Sequence, residues 1–280
     1  MRRRLIVVWN VLKAWLLLAV GCAVLGAIGW ALGGYRLASL LVFFGLLVGL
    51  GAYWYGDRAV LGMLGARELP IGEAPALHTT VARLATLSGV PKPKVYLIAD
   101  GLPRALTAGR GARSSAIAVS SGLLGAAPPA ELEGILAHEL SHIRSRDVIP
   151  QTAVVVLASA LIELSRIGGW LEGPLLFVLG PVAAAFVSVV LSPKREFEAD
   201  RAAAALCESP HGLADALIRL DKASELVEFS ANPATEPLYT FNPFAEEGLA
   251  ALFSTHPPVG DRVRRLRELD PSWLEKLRAA

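Results

Sequence analysis

The sequence contains few charged residues and almost no cysteine. Aspartate, glutamate, lysine and arginine make up 19% of the 280 residues, whereas soluble domains contain about a quarter. The formal net charge is only +2, which argues against a nucleic-acid partner. Cys22 and Cys207 lie far apart in the chain. Their number and spacing exclude a disulfide framework and a cysteine-based zinc cluster.

Apolar residues are abundant instead: 54% of the residues are hydrophobic and the mean hydropathy is +0.49. Residues 14–35 and 37–56 form uncharged stretches of 22 and 20 residues, and about 20 helical residues cross a hydrocarbon core of about 30 Å. The two stretches, separated by Arg36, therefore predict a transmembrane hairpin. A cleaved signal peptide is the alternative for the first stretch. That stretch is longer than the usual apolar region of about 7–15 residues, however, and a second one follows at once.

A second pair of apolar stretches follows later in the chain. Residues 148–162 contain 15 uncharged residues and residues 173–193 contain 21. Between them, Glu163 and Arg166 are three positions apart, so the two can pair on one helix face near the membrane surface. The length of the stretches favours a second transmembrane hairpin. The alternative is a pair of buried or interfacial helices within the globular part.

Basic residues flank both apolar pairs on one side. The two opposite turns contain only Arg36 and Arg166. The positive-inside rule therefore places both termini and both polar blocks in the cytoplasm. The basic residues on that side are Arg2, Arg3, Arg4, Lys13, Arg58, Arg67, Arg144, Arg146, Lys194 and Arg195.

The polar blocks show more helix signals than strand signals. The pattern predicts an α+β, helix-dominated domain in two halves, residues 57–147 and 194–280, interrupted by apolar hairpins at 1–56 and 148–193. Helices are predicted over 76–88, from Pro129 through residue 142, and over 195–208, 213–229 and 259–269. Strands are predicted over 95–99 and 115–119, and a loop rich in proline and asparagine over 232–243.

The helix that begins at Pro129 contains the motif His138-Glu139-Leu140-Ser141-His142. Two histidines four positions apart share one helix face, where their ring nitrogens can take two corners of a zinc tetrahedron. Glu139 is rotated by about 100° around the helix, so it can reach a water on the metal without binding the metal itself. This arrangement predicts that Glu139 is the general base in hydrolysis.

A catalytic zinc needs a third protein ligand and one open position. The other histidines are His78, His211 and His256, and the first two are expected at the surface. A hairpin returns the chain to the membrane face that it left, so Glu196, just after the second apolar pair, is expected beside His142. We therefore predict Glu196 as the third ligand, with Asp200 on the same helix face as the hydrogen-bond partner of a ligand histidine.

Three segments together resemble the HtpX-type membrane zinc metalloproteases, which are relatives of the CAAX prenyl proteases and of the Oma-type peptidases. These segments are residues 138–147, Glu196-Phe197-Glu198-Ala199-Asp200 and Ser254-Thr255-His256-Pro257-Pro258. The resemblance covers the whole chain in order. One departure is that Arg104 stands where the family often has an asparagine before its edge strand, so the role of that asparagine is open here.

The resemblance implies a zincin-like metallopeptidase domain with one Zn²⁺ on His138, His142 and Glu196 and with Glu139 as the base. It also implies a multi-pass protein of a bacterial inner membrane that hydrolyses peptide bonds at the cytoplasmic face, in quality control of membrane proteins. The expected partners are protein or peptide substrates, chiefly membrane proteins, and the lipid bilayer.

Two alternative functions stay open. One is a narrowly specific processing peptidase of the prenyl-protein type, and the other is a membrane scaffold with a non-catalytic zinc. Glu139 argues against the scaffold, because a structural zinc site has no use for a general base.

Five further expectations concern the surroundings of the site. His256 is a candidate donor to the oxyanion of the scissile carbonyl, with a histidine packed before two prolines as the alternative. Asp147 either orients a ligand histidine or simply ends its helix. The loop 232–243 is expected over the cleft, and strand 115–120 is a candidate edge for an extended substrate. The arginines of the last helix are expected on a solvated face, with contact to anionic lipid as the alternative: Arg262, Arg264, Arg265 and Arg267.

Overall fold

The computed structural model describes residues 2–167, 172–226, 233–240, 253–270 and 272. The turn of the second apolar pair, residues 168–171, lies outside the described residues. So do the end of the predicted helix 213–229 and both ends of the predicted loop 232–243.

Helix α1, Arg2–Met63, is a hairpin of two antiparallel arms. The helical backbone is broken at Gly33 and Gly34, and Gly34 has φ +65°, a conformation that glycine adopts without steric cost. The arms approach each other closely at Gly29: a Cβ on this residue would lie 2.6 Å from the Cα of Ala38. Nearer the open end, the rings of Trp15 and Tyr53 lie 5.7 Å apart.

Length and composition distinguish one membrane-spanning candidate in the described chain, Val7–Met63 within α1. Helices α4 (Pro129–Ser145) and α5 (Val148–Ile167) would form a second candidate if their bent pair, which meets at 94°, were one span. The apolar stretch of helix α6, Glu172–Ser188, is shorter. Many large apolar side chains of α1 lie on the protein surface; Leu32 and Trp30, for example, are 75% and 67% exposed.

A four-stranded sheet has the order β1-β2-β4-β3. The strands are β1 (Arg67–Glu68), β2 (Lys94–Ile98), β3 (Ala105–Gly109) and β4 (Ser115–Ser120). Strand β2 runs parallel to β4, whereas β1 and β3 are antiparallel to their neighbours. The expectation that strand 115–120 is an edge is therefore wrong, because β4 lies inside the sheet and β3 forms its edge. All five residues of β3 are buried, so it has no polar alternation that would mark a strand.

Five of the remaining helices agree with the predicted positions within a few residues: α2 (Pro75–Ser88), α6 (Glu172–Val190), α7 (Lys194–Leu206), α8 (His211–Leu226) and α9 (Val259–Arg267). Two were not predicted. Helix α3 (Ser121–Ala126) follows β4 directly, and a 3₁₀ helix (Pro233–Leu238) lies within the segment that was predicted as a loop.

Two hydrophobic cores hold the elements together. The first lies between α2, the sheet, α4 and α8 and contains Leu84, Ile117, Leu136 and Leu217. The second lies between β3, α5, α6 and the end of α1. Because β3 and its neighbour β4 contribute to both cores, the sheet joins the apolar helices to the rest of the protein.

Candidate active site

Helix α4 places both motif histidines in the interior of the protein. His138 and His142 are one turn apart and both are buried. Their Nε2 atoms lie 3.2 Å apart. The two rings therefore direct one nitrogen each toward a common point.

Helix α7 brings a carboxylate to the same point. Helices α5 and α6 pack against each other, so the chain returns beside α4 and begins α7 at Lys194. Glu196 Oε2 lies 3.4 Å from His138 Nε2 and 3.9 Å from His142 Nε2. One ligand atom from each of the three residues lies within 4.8 Å of the other two. The structure thus brings the three predicted ligands together across a gap of more than fifty residues.

The donor set fits a divalent cation. Both carboxylate oxygens of Glu196 are buried and accept no hydrogen bond from the described residues, although the guanidinium of Arg195 lies 3.0 Å from Oε1. Leaving such atoms unsatisfied costs free energy. Two imidazole nitrogens and one carboxylate oxygen are also the ligands of many catalytic zinc sites.

Each ligand histidine has its own carboxylate behind it. Asp200 Oδ1 lies 2.9 Å from Nδ1 of His138, and Asp147 Oδ2 lies 3.0 Å from Nδ1 of His142. An ionised carboxylate only accepts hydrogen bonds, so each Nδ1 carries the proton. The lone pair of each Nε2 is then free for a metal.

Arg262 differs most from its predicted position. It was expected on a solvated face, but it is 0% exposed and donates two hydrogen bonds to Asp200, at 2.8 and 2.6 Å. It also donates to the backbone carbonyl of Thr240. A signal was present, because Arg262 lies one turn before Leu266 on α9 and shares its apolar face. Arg264 and Arg265 are exposed as expected, whereas Arg267 is largely buried.

The charges around the site favour a cation. Burial alone lowers the pKa of His138, but Asp200 and Glu196 outweigh burial and raise this pKa to about 9. Burial alone raises the pKa of Glu196, yet the neighbouring His256, His142 and Arg195 hold it well below its usual value. Burial also opposes ionisation of Asp200, and Arg262 nevertheless lowers its pKa to about 2. The pocket thus keeps the carboxylates of Glu196 and Asp200 ionised and stabilises positive charge beside them.

Glu139 lies beside the ligands and is 1% exposed. Its Oε2 accepts a hydrogen bond of 2.6 Å from the hydroxyl of Thr107 on β3. Its Oε1 accepts one of 2.7 Å from the hydroxyl of Thr240. Neither threonine was singled out from the sequence, because a lone threonine in a strand or a loop gives no local signal of such a contact.

The other histidines occupy different surroundings. His256 Nε2 lies 3.5 Å from Glu196 Oε2, so the structure brings it to the site. His78 is buried and its Nε2 lies 2.9 Å from the Leu69 carbonyl, which corrects the expectation of a surface residue. His211 is partly buried and lies near Asp270, with Nε2 2.9 Å from a carboxylate oxygen, and it does not belong to the ligand cluster.

Residues 233–240, here called the strap, lie across the site. They comprise the 3₁₀ helix and the two residues after it. Arg104, which directly precedes β3, is buried, forms an ion pair with Asp100 and has its guanidinium carbon 5.8 Å from the ring of Tyr239. It is therefore directed toward the strap.

Comparison with known proteins agrees with this geometry. A profile of peptidase family M48 matches residues 72–270. The Protease HtpX homolog of Pelotomaculum thermopropionicum is 37% identical over 278 residues, which cover 93% of this chain and 99% of the relative. The corresponding protein of Acidiphilium cryptum is 39% identical over 277 residues, covering 93% and 96%.

A solved structure supports the fold. The crystal structure of Ste24p from S. mikatae superimposes with a TM-score of 0.50 at 18% identity, covering 93% of this chain and 66% of that chain. The family match over residues 72–270 includes the helix with the two histidines, the helix with Glu196 and the helix with Arg262. The chain belongs to peptidase family M48 and is a metalloprotease of the HtpX type.

Proposed function

We propose that the protein is a zinc-dependent endopeptidase in which His138, His142 and Glu196 hold the metal and Glu139 is the general base. The observation that carries this proposal is the convergence of three ligand atoms within 4.8 Å of one another, with a buried carboxylate on the residue next to His138. Zinc is the metal that best suits two imidazoles, one carboxylate and an open fourth position.

Each residue of the site has its own role in the proposed hydrolysis. Zinc, when bound, supplies Lewis-acid activation of the water and of the scissile carbonyl. Glu139 takes a proton from the attacking water as the new carbon–oxygen bond forms, and it delivers that proton to the leaving amine as the carbon–nitrogen bond breaks. His256, beside Glu196, is suited to donate a hydrogen bond to the oxyanion that forms between these steps. Asp200 and Asp147 keep the ligand rings in the orientation that binding needs.

The proposed setting is the cytoplasmic face of the inner membrane. In this proposal residues 1–56 and 148–193 are membrane hairpins, and residues 57–147 and 194–280 form one peptidase domain between and after them. The exposed apolar surface of α1 and the distribution of arginine and lysine support this orientation. Glu196 follows the second apolar pair by only three residues, so the active site would lie close to the membrane surface. That position suits misfolded membrane proteins or their cytoplasmic loops as substrates, which supports a role in quality control.

The test compares two isosteric substitutions on one helix. Purified protein loaded with zinc should cleave unfolded casein, and Glu139→Gln should lower kcat by at least about 1,000-fold, in the range of losses of essential catalytic groups. Glu133→Gln is the matched control, because Glu133 lies on α4 and pairs with Arg83 at the surface.

Three outcomes separate the candidate functions. Loss of cleavage in Glu139→Gln alone supports the proposal. Cleavage restricted to one type of peptide, with casein left intact, would favour the specific processing peptidase. Equal activity in Glu139→Gln and wild type, or metal binding without any cleavage, would contradict the proposal and favour the scaffold.

A further inference from the structure

The strap occupies the outer edge of the sheet. The backbone N–H of Thr240 donates to the carbonyl of Ala105, at 3.3 Å, and Tyr239 is the antiparallel bridge partner of Leu106. The other edge of β3 is already paired with β4. The strap therefore lies where an extended peptide would add to β3 as a further strand.

Contacts from three sides hold the strap in this place. The carbonyl of Pro237 accepts hydrogen bonds from Arg195, at 3.0 Å, and from Gln151, at 2.5 Å. The carbonyl of Thr240 accepts one from Arg262. Tyr239 is 2% exposed. Because Arg195 and Arg262 also lie beside Glu196 and Asp200, the same two arginines contact both the metal site and the strap.

The two hydroxyls on Glu139 come from different parts of the protein. Thr107 belongs to β3 and is fixed by the sheet, so its bond to Oε2 can persist while a substrate is bound. Thr240 belongs to the strap, so its bond to Oε1 exists only while the strap is docked. In the docked state the Thr240 hydroxyl thus occupies the position beside Oε1 of Glu139 that the attacking water needs.

We propose that the strap is a built-in competitor of the substrate, and that Thr107 and Thr240 act on Glu139 in opposite directions. Thr107 is a positioning residue that aims the carboxylate. Thr240 holds the same carboxylate idle until an extended substrate displaces the strap from β3. This inference rests on the proposed function, because it assigns a resting and a working state to the same base.

The first experiment exploits the expected difference in sign. Thr107→Val should lower kcat about tenfold with KM within about twofold, and Thr107→Ser should restore most of it, because a hydroxyl bond to a charged group is lost and regained. Thr240→Val should instead raise kcat/KM about fivefold, mainly through a lower KM, because the competent population increases. Thr240→Ser, which keeps the hydroxyl, should behave like wild type.

A control variant lies in the same strap. Thr235 is buried, and its hydroxyl lies 3.3 Å from the hydroxyl of Tyr239 rather than from Glu139. Thr235→Val should leave kcat/KM within about twofold of wild type. An equal rise in Thr235→Val would mean that simple loosening accounts for the gain, and it would overturn the role given to Thr240. A loss of activity in Thr240→Val similar to that in Thr107→Val would overturn the inference as a whole.

The second experiment has a readout other than activity. Antiparallel partners that share no hydrogen bonds have Cα atoms about 4.5 Å apart, within the range of about 4.4–6.8 Å that a disulfide bridges. A Leu106→Cys/Tyr239→Cys double variant, with Cys22 and Cys207 replaced by alanine, should therefore form a disulfide on oxidation. Mass spectrometry of peptides detects the disulfide, and metal analysis shows whether the crosslinked protein retains its metal.

The crosslinked protein should lose cleavage of casein and regain it on reduction with a phosphine. Absence of the disulfide, or full activity in the crosslinked form, would overturn the docked strap as a competitor. If wild type cleaves casein and Glu139→Gln does not, the proposed function stands whatever these variants do. The two proposals therefore fail separately.

Discussion

At the residue scale, the two ligand histidines are supported to different degrees. Asp200, behind His138, accepts two hydrogen bonds from the buried Arg262. Asp147, behind His142, has one oxygen that is buried without a hydrogen-bond partner among the described residues. The metal ligand on the Asp200 side is thus fixed by a longer chain of charged contacts. Breaking that chain leaves a buried cation unpaired.

We expect Asp200→Asn to weaken metal binding about 10- to 100-fold, as loss of a carboxylate behind a ligand histidine generally does. The measurement is competition with a chromophoric chelator, together with the melting temperature of the loaded protein. Asp261→Asn is the control, because Asp261 forms an exposed ion pair with Arg264 on α9. Equal metal affinity in the two variants would show that Asp200 does not orient His138.

The ligands themselves could be predicted from the sequence, whereas their supports could only be predicted in part. The spacing of four between His138 and His142, and between Glu196 and Asp200, places each pair on one helix face. Arg262 lies sixty-two positions beyond Asp200, in a helix with three other arginines. Local charge alone therefore did not separate the buried arginine from its exposed neighbours, and only its register with Leu266 distinguishes it.

At the element scale, the helices were predicted better than the sheet. Helix ends are marked locally, as at Pro75 and at Gly89, which has φ +68° at the end of α2. Strand β3 carries no such mark. Its residues are buried on both faces, so the alternation of polar and apolar positions is missing. The identity of the edge strand, and with it the place of the strap, therefore depended on the three-dimensional structure.

The close approach of the two arms of α1 makes a second prediction. Gly29→Ala should destabilise the hairpin by about 1–3 kcal/mol, a usual cost of overpacking, because its Cβ would meet the backbone of Ala38 at 2.6 Å. Gly21→Ala, on the same arm, meets nothing within 4 Å and should leave the melting temperature unchanged or higher. Thermal unfolding in detergent checks both. Equal melting temperatures would mean that the arms do not pack at Gly29.

At the scale of the whole molecule, the proposed membrane orientation rests on charge and apolar length alone. A hairpin of the two uncharged stretches was predicted from the sequence, and the structure places its turn at Gly33 and Gly34. How deeply α5 and α6 would enter a bilayer depends on their packing, α5 against α1 and α6 against α5. Stretch length alone does not determine that depth.

Accessible cysteines test the proposed orientation. In a Cys22→Ala/Cys207→Ala background, a cysteine at Arg36 should react with an impermeant maleimide added to spheroplasts. A cysteine at Lys222, an exposed position on α8, should react only in inverted vesicles. The reverse pattern would place the active site on the outer face. Gly169, the matching position in the second apolar pair, lies outside the described residues.

The most direct test of the account measures the metal itself in three proteins purified in parallel. Wild type and Glu139→Gln should each retain one zinc ion per chain, because Glu139 does not bind the metal. Glu196→Ala should retain far less after dialysis against a weak chelator, because one of its three protein ligands is gone. Full zinc retention in Glu196→Ala, or loss of zinc in Glu139→Gln, would contradict the assignment of two imidazoles and one distant carboxylate to a single ion.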